Sequence, residues 1–145
     1  MSLTDWCRLG WLTEHETSKQ EISDLLALAD RDLASSQTPG LDADWRLTIA
    51  YNAALQLATT ALAASGYRAA REMHHYRVVQ SLPLTVGADS ALVDQLDQYR
   101  RKRHQGAYER AGLVSEREAT EMYALAAHLR DIVLSWLQAE HPDLL

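Results

Sequence analysis

Apolar residues recur at helical spacing along most of the chain. Ile22, Leu25, Leu26, Ala29 and Leu33 form one stripe, and Thr17 or Ser18 can cap the helix that carries it. Ser35-Ser36-Gln37-Thr38-Pro39-Gly40 ends that helix in a loop. A second helix starts at Asp42 or Asp44 and places Leu47, Ala50, Tyr51, Ala54, Leu57, Ala58 and Ala61 on one side. It runs to Ser65, where Gly66 is a fitting left-handed stop. Its many alanines allow close approach of a neighbour, which predicts a central position.

The spacing then predicts a short third helix, about Glu72 to Leu82, closed by Pro83. Gly87-Ala88-Asp89-Ser90 reads as a loop with a cap, followed by a fourth helix to about Ala111 with Gly112 as its stop. Ser115-Glu116-Arg117-Glu118 has the capping-box pattern and opens the last helix. Met122, Ala126, Leu129 and Val133 form its stripe, which Leu125, Ile132 and Trp136 widen. Pro142 closes it. Residues 1–17 carry Trp6, Trp11 and Leu12 among polar residues and read as an irregular lead-in that packs its tryptophans on the body. No β-type alternation competes with these periods. The expectation is an all-α, up-and-down helical bundle of four long helices plus one short helix, a single domain over residues 18–141.

Composition narrows the class. A chain of 145 residues with 47% apolar and 23% charged residues can bury a core of its own. One cysteine, Cys7, leaves no internal disulfide, which suits a reducing compartment. The first residues lack the pattern of a signal peptide, and no window approaches the roughly 18 apolar residues of a membrane span. A cytoplasmic protein without membrane contact is expected. The net charge of −6 argues against a general nucleic-acid coat protein. The charge is unevenly spread, however. Residues 68–110 hold eight of the 14 Lys and Arg and only five of the 20 acidic residues. A basic patch on an acidic body suits selective contact with phosphate.

The densest basic run is Tyr99-Arg100-Arg101-Lys102-Arg103-His104-Gln105-Gly106-Ala107-Tyr108. Leu92, Leu96 and Tyr99 share a face of the fourth helix, and the next position on that face is Arg103. The apolar stripe thus runs into a guanidinium, aimed at a packed or half-buried surface where a charge needs a partner. Arg100, His104 and Tyr108 form a second stripe at four-residue spacing. Together they mark a candidate anion site, with Arg101, Lys102, Arg68 and Arg71 as further phosphate contacts. The bland alternative is a solvated basic face near a helix end. Other chemistry is poorly represented. His74 and His75 are adjacent, so they diverge on a helix and do not chelate as an i, i+4 pair would. There is no glycine-rich phosphate loop and no nucleophile elbow. No metal and no cofactor are expected.

Ala53 to Leu62, Gly66-Tyr67-Arg68, His74-His75, Arg101-x-Arg103 and Tyr108 together resemble the HEPN domains. The likeness is to the small prokaryotic HEPN proteins paired with a minimal nucleotidyltransferase, and it covers roughly residues 42–137. The resemblance implies a helical bundle that forms a homodimer with its motifs facing each other. Many such proteins are metal-independent ribonucleases of toxin–antitoxin or defence systems, and others only bind RNA or nucleotides. Their active motif is an Arg and a His with four to six residues between them. Arg103 matches the Arg, His104 stands at the polar position, and Tyr108 stands where the His would be. A tyrosine near its ordinary pKa is only about 0.1% ionised at pH 7, so it is a poor base. If the site cleaves RNA, His104 carries the proton transfer and Arg103 holds the phosphate. The expected role is an RNA- or nucleotide-binding component of a toxin–antitoxin or defence-type system, with a degenerate metal-independent ribonuclease as its catalytic form. The alternative is a non-catalytic module that binds a nucleotidyltransferase-type antitoxin through the same helix face.

Overall fold

A computed structural model describes residues 1–108 and 113–145, with the side chains of residues 104–108 outside the description. The expected stop at Gly112 therefore lies outside the described residues. The protein is an all-α helical bundle. Its long helices are α2 (Lys19–Ser35), α3 (Ala43–Ala64), α6 (Ser90–Tyr108) and α7 (Glu116–Glu140). Shorter ones are α1 (Leu3–Arg8), α4 (His74–Gln80) and α5 (Leu82–Thr85), and a 3-10 turn spans Pro142–Leu144. Two three-residue strands, β1 (Leu12–Glu14) and β2 (Tyr67–Ala69), pair antiparallel with Leu12 opposite Ala69.

The capping signals act as their chemistry dictates. Ser18 accepts from the Glu21 amide at 3.0 Å, and Asp89 accepts from the Leu92 amide at 2.9 Å. Ser115 and Glu118 form a reciprocal box, each side chain bonded to the other's amide at 3.0 Å. Gly66, at φ 94°, turns the chain out of α3 into β2, a backbone state that costs glycine nothing.

α3 is the axis of the bundle. It packs most extensively against α7 and α2, then against α6 and α4. Ala50, Ala54, Ala58 and Ala61 are buried, so neighbouring helices lie close to its backbone. From α7, Met122, Ala126, Leu129 and Val133 bury completely against the core. By length and composition α3 is apolar enough to span a membrane, against the expectation that no window would be. Here two thirds of that apolar window is buried inside the bundle. An ion pair between Arg46 and Glu116 ties α3 to α7, and one between Arg130 and Asp30 ties α7 to α2.

Three local expectations need correction. Residues 1–17 are not irregular. Ser2 and Asp5 form a capping box that starts α1, and the chain continues into β1. Trp6 does bury and meets Trp11 edge to face at 5.5 Å. The strand pair was invisible to periodicity because three residues are too few to show alternation. It is anchored by backbone bonds beyond its ends, from Ala70 to Trp11 and from His15 to Gly66. Pro83 does not close the third helix. The break comes at Ser81, whose hydroxyl donates to the Val78 carbonyl at 2.7 Å, and Pro83 sits in the first turn of α5. A proline is tolerated there because first-turn amides have no intrahelical acceptor to lose. The bundle thus carries several short helices rather than one.

Candidate anion-binding site

The stripe on α6 behaves as its spacing requires. Leu92 and Leu96 are buried, and Tyr99 packs partly against the core while its hydroxyl donates to Glu121 on α7 at 2.8 Å. One turn further on, the half-buried Arg103 holds its guanidinium carbon 5.2 Å from the centre of the Tyr51 ring. The partner that the sequence demanded for this charge is therefore an aromatic face on α3. Among the described residues, no carboxylate pairs with Arg103.

Tyr51 is fully buried, and its hydroxyl has no hydrogen-bond partner among the described residues. Burial pushes its pKa up to about 12, against smaller opposing effects of Arg103 and Arg100. It is a neutral donor at pH 7. An unpaired buried hydroxyl costs on the order of 1–3 kcal/mol. Tyr51→Phe is therefore expected to stabilise the protein by about 1 kcal/mol, read as a higher urea midpoint at an unchanged slope. A lower midpoint would mean that the hydroxyl has a partner in the folded state.

Arg100 and Arg101 share one carboxylate: Asp97 lies 2.8 Å from Arg100 Nε and 3.4 Å from Arg101 Nε. That trio keeps a net positive charge. Arg100 also lies 5.4 Å from the Tyr76 ring, while Arg77 lies 5.5 Å from the same ring. Arg77 in turn stacks on Trp11 at 3.6 Å. A ladder of rings and guanidiniums thus runs from the N-terminal segment through α4 to α6. Tyr76 has two cations near its ring.

His75 completes the face. Its ring centre is 6.4 Å from that of Tyr51, and its side chain is exposed. Partial desolvation lowers its pKa first, and the nearby charges of Arg103, His74 and Arg100 add to that. The imidazole is therefore largely neutral at pH 7 and can accept a proton or a hydrogen bond. The turn before it holds Met73 at φ 54°, a left-handed conformation that is costly for a residue with a side chain. That strained residue starts α4 and so sets where His74 and His75 sit.

The structure sorts the residues expected from sequence. It brings Arg100 and Arg103 together with Tyr51, Tyr76 and His75. Arg101 shares Asp97 but is mostly exposed. Lys102 turns toward α7 and lies 3.5 Å from Glu118, so its charge is answered there. Arg68 lies on β2 and lines a different cleft, and Arg71 is exposed in the connection before α4. The side chains of His104 and Tyr108 lie outside the described residues. Sequence reasoning passed over Tyr51, Tyr76 and His75 as site residues. The available hint was Tyr51 itself, a ring with a polar tip on an otherwise alanine- and leucine-lined stripe. Among the described residues, no cluster of His, Cys, Asp and Glu could hold a metal ion.

Chemically, two guanidiniums, an exposed neutral imidazole and flanking aromatic rings can hold a phosphate and stack a base. No protein-family model matches this chain, and neither a curated protein nor a solved structure matches it.

Proposed function

We propose that the protein is a HEPN-like RNA- or nucleotide-binding bundle whose ligand phosphate docks on the α4–α6 face. One observation carries the reading: Arg103 is half-buried on the Tyr51 ring without a carboxylate partner among the described residues. A guanidinium so placed is held in position while its charge stays available to an anion. Arg100 supplies a second cation, and Tyr76 a ring on which a base can stack. The acidic remainder of the chain repels nucleic acid elsewhere and confines contact to this face. In this reading the protein works as a homodimer within a toxin–antitoxin or defence-type system, with a nucleotidyltransferase-type antitoxin as its partner. His75 joins His104 as a candidate base for any metal-independent cleavage, because its imidazole is neutral beside the phosphate-holding arginines.

The test is a titration of single-stranded RNA at several salt concentrations. Two or three phosphate contacts predict a slope of log K against log salt of about −1.5 to −2, or about tenfold weaker binding between 50 and 200 mM salt. Failure to bind RNA even at low salt would overturn the proposal. Salt-insensitive capture of a protein partner by the same face would replace it with the interaction-module reading.

A further inference from the structure

A second polar constellation lies apart from the Arg103 face. Between α2, α3, β2 and the start of α4 there is a cleft of about 270 Å³. Leu25, Leu62 and Val78 give it an apolar floor, and Glu21, Arg68 and His74 line its polar sides. The volume falls just below the range of drug-sized ligand sites, which starts at about 300 Å³, so it suits a compact molecule.

Glu21 is held in place on one wall. Its Oε1 accepts from the Thr17 hydroxyl at 2.6 Å and lies 2.7 Å from His15 Nε2. The Thr17 bond first, then that of His15, holds the carboxyl below the usual range, so Glu21 is anionic at neutral pH. Arg68 lines the same cleft from β2, in register with Thr13 on the strand pair. Its charge reaches Glu21 and favours the carboxylate. Yet the two do not form an ion pair among the described residues. Opposite charges therefore face the same small space without closing on each other, above an apolar floor.

We propose that this cleft binds a small zwitterion with an apolar body, of the apolar α-amino acid class, its ammonium on Glu21 and its carboxylate on Arg68. A simple anion would meet the Glu21 carboxylate, and a simple cation would meet Arg68. A purely apolar ligand would desolvate both charges without replacing their water. A ligand carrying both charges at one end and an apolar chain at the other matches Glu21, Arg68 and the floor together. His74 adds a second hydrogen-bonding group from α4 for the ligand's carboxylate.

The experiment is calorimetric titration of the full chain with L-leucine at pH 7, followed by the other apolar amino acids. Saturable binding with Kd below about 1 mM is expected for at least one of them. Leucinamide lacks the carboxylate and isocaproate lacks the ammonium, and each is expected to bind at least about tenfold more weakly than leucine. Arg68→Ala and Glu21→Gln should produce the same loss, while Arg117→Ala should bind like the parent. The ligand analogues test the charges without any risk to folding. Absence of binding by every apolar amino acid, or equal binding by either analogue, overturns the proposal. RNA binding at the Arg103 face has no bearing on either outcome.

Discussion

Leu129→Ala is expected to destabilise the protein by about 2–5 kcal/mol, with the urea midpoint falling and the slope unchanged. Leu129 is completely buried on α7, in a stripe with Met122, Ala126 and Val133, which are buried to the same degree. α7 packs most extensively against α3, whose buried residues include Ala50, Ala54, Ala58 and Ala61. Such a wall is mostly backbone and methyl groups, so it has few flexible side chains that could swing in and fill the hole. The loss should therefore approach the cavity-forming limit rather than the bare transfer cost. Against a typical total of about 5–15 kcal/mol, that is a large share of the stability. The matched control is Leu28→Ala on α2, where the side chain is exposed and the change should stay within about 0.5 kcal/mol. Similar midpoints for the two variants would refute the placement of α3 and α7 as the packed centre.

Arg103→Ala is expected to weaken RNA binding by about ten- to a hundredfold, the range for losing a charge-assisted contact, while Arg117→Ala changes it little. The two substitutions remove the same formal charge, so a difference between them isolates position. Arg117 is highly exposed and already paired with Glu121 at 3.0 Å. An incoming phosphate gains little from a cation whose charge is answered and whose side chain is free to move. Arg103 is seated on the Tyr51 ring and lies near Arg100 and His75. Its loss should also make the salt dependence of binding shallower by about 0.7 in slope, one contact's worth for a single strand. Equal losses in the two variants at fixed salt would show that RNA senses only net charge and would remove Arg103 from the site. Circular dichroism of both variants separates this from unfolding.

Much of the architecture was written in the spacing of apolar residues. The stripes of α3 and α7 bury as read, and so do Ile22, Ala29 and Leu33 of α2, because an amphipathic helix of several turns has one way to hide its apolar side. The caps at Ser18 and Ser115 and the turn at Gly66 were also legible, since each is local chemistry between residues a few positions apart. Even the seating of Arg103 followed from its place on the Leu92–Leu96–Tyr99 stripe. What no spacing could supply is the identity of its partner. Tyr51 is 52 residues earlier in the chain. It meets Arg103 only because α3 packs against α6. The same holds for Glu21 and Arg68, brought to one cleft by a three-residue strand pair too short to announce itself. Basic residues adjacent in sequence were likewise divided by helix geometry. Lys102 faces Glu118 on α7 and Arg103 faces Tyr51 on α3, because neighbours on a helix point about 100° apart. Sequence determined which faces of the long helices are apolar and where those long helices begin. Tertiary packing decided which charges are answered by carboxylates and which remain available to a ligand, because that depends on contacts between elements distant in the chain.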